Sequence, residues 1–135
     1  MSRGRPPTKG MDIALPVAKA RGHVIELVQN GDTPGDFEII VGGVLTFVRF
    51  CRADPFRSTP AEIEAENRVR IARLRSVPAS AHVLRELWIY SKYGSLRFFR
   101  VEDTWLLEIG SDGMPLGAGG VNAGTGTPGK DPKKE

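Results

Sequence analysis

Residues 33–52 read T-P-G-D-F-E-I-I-V-G-G-V-L-T-F-V-R-F-C-R, and two apolar, β-branched and aromatic runs flank Gly42-Gly43 within them. Two glycines between such runs mark a hairpin, because the tight turns whose twist suits paired strands need φ > 0. The arms are residues 37–41 and 44–50. In the second arm Val44, Thr46, Val48 and Phe50 share one face, and Leu45, Phe47, Arg49 and Cys51 share the other. Both faces are largely apolar, so this arm is expected in the middle of a sheet. Arg49 then projects from a mostly buried face and needs an anionic partner, for which Glu38 and Glu26 are the candidates.

Upstream, H-V-I-E-L-V-Q at residues 23–29 reads as a first strand, closed by the turn formers N-G-D-T-P-G. Residues 13–21 read as a short helix, with Asp12 as N-cap, Gly22 as stop and Pro16 in the first turn. Residues 1–10, M-S-R-G-R-P-P-T-K-G, have no periodicity and read as a disordered basic arm. Within it Arg3-Gly4-Arg5-Pro6 resembles the core of an AT-hook, whose arginines sit in a narrow A·T minor groove.

Downstream, Thr59, Pro60 and Glu62 form a capping-box start for one crossover helix over about residues 60–75. Glu64–Arg68 and Glu66–Arg70 stand at i,i+4 spacing on it. Ile63, Ile71 and Leu74 make a bulky apolar stripe. Ala61, Ala65, Val69 and Ala72 make a second stripe of smaller side chains, which calls for a neighbouring segment or another subunit. Residues 83–93, 95–101 and 104–109 then form three strands with tight turns, an antiparallel meander spanning 83–109. From Gly110 onward Gly, Pro, Thr, Asn and Lys dominate, and residues 111–135 read as a disordered tail. One α+β domain over residues 11–110 is therefore expected, with an α/β-like core and a mixed sheet.

Composition narrows the function classes. Of 19 basic and 16 acidic residues, residues 1–22 hold five basic and one acidic, so the remainder is nearly balanced at 14 and 15. The basic character belongs to the arm rather than to the whole body. The single Cys51 excludes an internal disulfide and a cysteine-based zinc cluster. Neither a Cys/His pair at useful spacing nor a G-x-S-x-G occurs, and His23 and His82 lie apart, so the expectation is no metal site and no small-molecule cofactor. No run approaches a membrane span and no apolar h-region follows the basic start, so a cytoplasmic protein without membrane contact is expected.

The order of hairpin, helix and following strand resembles the restriction-endonuclease-like, or PD-(D/E)XK, nuclease superfamily. Its core is a helix, a three-strand meander, a crossover helix and a fourth strand. Pro34-Gly35-Asp36 stands where that family has its P-D, with one glycine inserted. F-V-R-F-C-R stands where it usually has F-V-E-V-K-R. The resemblance implies that Asp36 keeps the first metal ligand, while Arg49 and Cys51 replace the second carboxylate and the lysine. In the family the carboxylates hold Mg²⁺ on the scissile phosphate. An arginine in that place repels the cation. If catalysis remained it would need Asp36, with Glu38 or Glu62 as the nearest helping carboxylates, and Mg²⁺.

The function expected is thus a catalytically degenerate nuclease-like domain that binds DNA or RNA without cutting. Arg3, Arg5, Arg49, Arg52, Arg97 and Arg100 are its candidate phosphate contacts, extended by Arg57 and Lys92 with Tyr90 and Tyr93 for stacking. The alternative is an assembly module, a homodimer joined through the second helical stripe or an edge strand.

Overall fold

The computed structural model describes residues 8–27, 33–53 and 57–116. Within these residues three helices and a six-stranded mixed sheet make an α+β fold. The order is α1 (Thr8–Arg21), β1 (His23–Glu26), β2 (Phe37–Val41), β3 (Val44–Arg52), α2 (Pro60–Glu66), α3 (Arg68–Arg75), β4 (Val83–Tyr90), β5 (Leu96–Val101) and β6 (Leu106–Ile109). Strand order in space equals strand order in sequence. Neighbours are antiparallel except β3 and β4, which run parallel because α2 and α3 carry the chain back between them.

The hairpin forms around Gly42 (φ 58°) and Gly43 (φ 78°), with Val41 opposite Val44. Positive φ at both loop positions is what a two-residue turn of the primed type requires. β3 is longer than expected, reaching Arg52, and it lies at the centre of the sheet. One face of the sheet packs Phe37, Ile39, Val48, Trp88, Phe98 and Ile109 against Ala14 and Ala18 of α1. The other packs Cys51, Leu87, Ile89, Phe99 and Val101 against Ile63, Ile71 and Leu74 of α2 and α3. Each of those three helix side chains is essentially fully buried and stabilises the fold by roughly 1.5–3 kcal/mol.

Several boundaries differ from the sequence expectation. α1 begins at Thr8, not Ile13, and Pro16 lies in its interior rather than its first turn. The ring has no N–H to offer the Asp12 carbonyl, so burial of Ala14 and Ala18, not local propensity, holds this helix together. The crossover is two helices, not one. The Thr59–Glu62 capping box is present, with Glu62 N–H donating to Thr59 Oγ1 (3.2 Å) and Thr59 N–H to Glu62 Oε1 (2.8 Å). The break falls at Asn67 (φ −121°, ψ 31°), whose buried amide Nδ2 donates to the Ile63 carbonyl. That turn redirects the chain, and the i,i+4 pairs do not form among the described residues: Glu64 accepts from Arg75 (3.0 Å), and Arg70 donates to Asn67 Oδ1. The second stripe faces solvent, with Val69 69% exposed.

Chain order also persists beyond Gly110, where no stable structure was expected. Pro115 bridges back to Ile109, and Leu116 N–H donates to the Glu108 carbonyl. Residues 1–7, with Arg3 and Arg5, and residues 117–135 lie outside the described residues. So does the end of the first strand expected at residues 28 and 29.

Candidate functional site

Two constellations lie towards the C-terminal ends of the parallel pair β3 and β4. The first centres on Asp36. With a two-residue loop at Gly42-Gly43, the hairpin register places residue 36 opposite residue 49, one step beyond the Phe37–Val48 pair. Asp36 N–H donates to the Val48 carbonyl at 2.7 Å. Gly35 is needed for that approach, because a Cβ on it would lie 2.8 Å from Val48 O. The Asp36 carboxylate is buried and engaged at both oxygens. Arg49 Nη1 donates to Oδ1 (3.1 Å), and the Phe50 backbone N–H donates to Oδ2 (2.6 Å). Arg49 also donates to the Thr33 carbonyl.

Arg49 therefore pairs with Asp36, not with Glu38 or Glu26 as expected. Glu38 stands opposite Phe47, two steps farther along the ladder, and Glu26 is exposed on the edge strand. Cys51, two residues beyond Arg49 on the same face, donates its thiol to Asn67 Oδ1 at 3.5 Å. Burial pushes the Cys51 pKa up from 9.0 to about 11; the fields of Arg70 and Arg49 pull it down and that of Asp36 pushes it up. A thiol so held is a poor nucleophile at neutral pH. Asp36, Arg49, Cys51, Asn67 and Arg70 thus share one electrostatic neighbourhood.

That donor set does not fit a divalent cation. Mg²⁺ wants oxygen ligands in open octahedral geometry, and the Asp36 oxygens are taken by a guanidinium and a backbone N–H. Glu62 is exposed, and its carboxylate closes the α2 capping box. Glu38 remains two residues from Asp36 on a half-buried stretch. Among the described residues no three His, Cys, Asp or Glu side chains gather closely enough to hold a metal ion.

The second constellation lies just beyond the strand ends. Arg52, exposed at the last position of β3, and Arg57 face the turn that follows β4, with Ser91, Lys92, Tyr93 and Ser95 completing a pocket of about 240 Å³. None of the three cations has a carboxylate partner among the described residues. Lys92 Nζ sits 5.2 Å from the centroid of the Tyr93 ring, which is itself 83% exposed. The turn is rigidly made: Ser91 Oγ accepts from the N–H groups of Tyr93 and Ser95 (3.1 Å each), and Gly94 takes φ 89°.

The other expected phosphate contacts are not on one surface. Arg97 and Arg100 are three residues apart on β5 and so face opposite sides of the sheet. Arg97 makes a two-pronged bond to Glu108 (2.9 and 2.8 Å) and a bond to the Ser58 carbonyl. The bond to Glu108 raises the Arg97 pKa, against a smaller cost of burial. Arg100 donates to the Gly113 carbonyl (2.7 Å). Both hold the fold together. Tyr90 is also committed, stacked on Phe50 at 4.7 Å.

Sequence reasoning missed the buried charges of β4. Arg85 donates to the carbonyls of Val77 and Val101 and to Asp103 (3.0 Å). Glu86, with no exposed surface, receives both Arg21 terminal nitrogens (2.8 Å each) and Trp88 Nε1 (2.8 Å). Both lie in V-L-R-E-L-W-I-Y, where an adjacent Arg-Glu within a core strand was the available signal.

The class defined here is an α+β domain with a mixed six-stranded sheet, a locked carboxylate–guanidinium pair on the central hairpin, and a small cationic pocket at the ends of the parallel strands. The chain matches no family model, and no curated protein is similar to it in sequence. No helix among the described residues is long and apolar enough to cross a membrane.

Proposed function

We propose that this protein is a non-cleaving nucleic-acid-binding module, a nuclease-like frame in which an ion pair stands at the catalytic position. The observation that carries this reading is that Arg52, Arg57 and Lys92 line one pocket, none of them with a carboxylate partner among the described residues. The succession of helix, three antiparallel strands, helical crossover and a fourth strand adds support, since it is the order of the resembled nucleases' core. The locked Asp36 argues for binding rather than cutting. The basic residues Arg3 and Arg5 of the arm would add phosphate contacts.

Fluorescence anisotropy of the whole chain with single-stranded and duplex DNA and RNA, over a range of salt, tests it. Neutralising three or four phosphates of a single strand gives an expected slope of log K against log salt of about −2 to −3. Reversing the pocket charges together, with Arg52→Glu, Arg57→Glu and Lys92→Glu, should abolish binding, and no cleavage should accompany it in Mg²⁺ or Mn²⁺. Unchanged affinity in the triple variant sinks the assignment of the pocket. Cleavage that Asp36→Ala removes sinks the non-cleaving reading.

An assembly module is a second reading, supported by different residues. Ile25 (40% exposed) and Ile40 (37%) share the open half of a sheet face that α2 and α3 leave uncovered, and Val69 points outward from α3. A dimer by light scattering, together with no nucleic-acid retardation at low salt, would favour it.

A further inference from the structure

The pocket beside Arg52 holds more charge than a strand interior supplies at one point. A bridging phosphodiester carries one negative charge and offers two free oxygens. A phosphate monoester carries about −1.5 to −2 near neutral pH and offers three strong acceptor oxygens. Here three cations without a carboxylate partner among the described residues, two of them guanidinium forks suited to paired phosphate oxygens, line a pocket of about 240 Å³. That space is below the usual range for a drug-sized ligand and is large enough to admit a phosphate group. The rim is aromatic: Tyr93 is 83% exposed, adjoins the pocket, and has one side already faced by Lys92 Nζ. Ser91 and Ser95 also line the pocket.

We propose that this pocket takes the terminal phosphate monoester of a nucleic-acid strand, with Tyr93 stacking on the terminal base, so that the module selects phosphorylated ends over strand interiors. The inference rests on the nucleic-acid reading above and names which part of a nucleic acid is bound. The monoester supplies the charge match, and the stacking platform restricts it to the last nucleotide. Arg52 and Arg57 would act as the clamp and Lys92 as the neutralising third charge.

The test uses the full chain with short single-stranded DNA and RNA carrying a 5′-phosphate, a 3′-phosphate or hydroxyls at both ends, each labelled internally. One phosphorylated end is expected to bind at least about tenfold more tightly than the hydroxyl-ended strand, as the loss of even one charge-assisted bond would give. The double change Arg52→Gln with Arg57→Gln should remove that preference. Tyr93→Ala should weaken binding of the phosphorylated strand by about tenfold yet keep the ratio between phosphorylated and hydroxyl ends. These residues are on the surface, and circular dichroism checks that the variants fold. Equal, salt-dependent affinity for all three ends overturns the end-selective site and leaves the nucleic-acid reading standing. No binding of any strand overturns both. A mononucleotide monophosphate that binds when no strand does would make the pocket a free-nucleotide site, and that too overturns the inference.

Discussion

Arg49 neutralises Asp36 and at the same time fills the place where a cation would have to approach it. The pair is legible from the sequence after the fact: a two-residue loop at Gly42-Gly43 fixes the pairing of every residue in the arms, and counting outward brings 36 opposite 49. Glu38 and Glu26 lie on neighbouring strands but not at the position of the ladder that faces Arg49. If the site is a metal centre disarmed by this substitution, Arg49→Glu should rebuild a carboxylate pair. The variant is expected to be destabilised by about 2–4 kcal/mol in chelator, because a partly buried ion pair becomes a repulsive one. Mg²⁺ or Mn²⁺ should restore much of that loss in a thermal melt. No metal-dependent recovery in a folded variant would remove the idea of a disarmed metal site.

At the scale of elements, the crossover shows why a correct start need not imply a correct end. The capping box was readable because it is local, involving Thr59, Pro60 and Glu62 within one turn. The break at Asn67 was not, because its support is tertiary. Its amide holds the Ile63 carbonyl, while its oxygen accepts from Arg70 and from Cys51 on a strand behind it. Asn67→Ala is therefore expected to cost about 1–3 kcal/mol in urea unfolding, despite the better helix propensity of alanine. A more stable variant would mean that the break is imposed by packing around it and that the Asn67 bonds do not compensate.

At the scale of the whole molecule, α1 with the antiparallel strands β1–β3 and the helix pair α2 and α3 with the antiparallel strands β4–β6 join along the parallel β3–β4 pair, with their helices on opposite faces. A buried carboxylate links the first helix to the second unit. Glu86 on β4 receives Arg21 from the end of α1 and the indole N–H of Trp88, whose ring stacks edge-on against Phe37 and Phe98. Removing the anion leaves a part-buried guanidinium and a buried indole donor unpaired. Glu86→Ala should then lose about 3–5 kcal/mol, and Glu86→Gln less, since an amide oxygen still accepts from one donor. Hydrogen exchange should report the loss first in α1. Unchanged protection of α1 in Glu86→Ala would show that the apolar contacts of Ala14 and Ala18 suffice.

By itself the sequence determined the central hairpin, the capping box, the second meander and the α+β class. Each follows from periodicity or turn chemistry acting over a few residues. Only the tertiary structure decided which charges are free. Arg97 and Arg100 look in the sequence like contacts for a polyanion, yet Glu108 and the Gly113 carbonyl, brought alongside by β6 and the turn after it, consume them. Arg52, Arg57 and Lys92 look no different in the sequence, but they end at the mouth of the parallel strands with no acid in reach among the described residues. The distinction depends on long-range pairing, because the same guanidinium is a structural clamp or a ligand contact according to what the fold sets beside it.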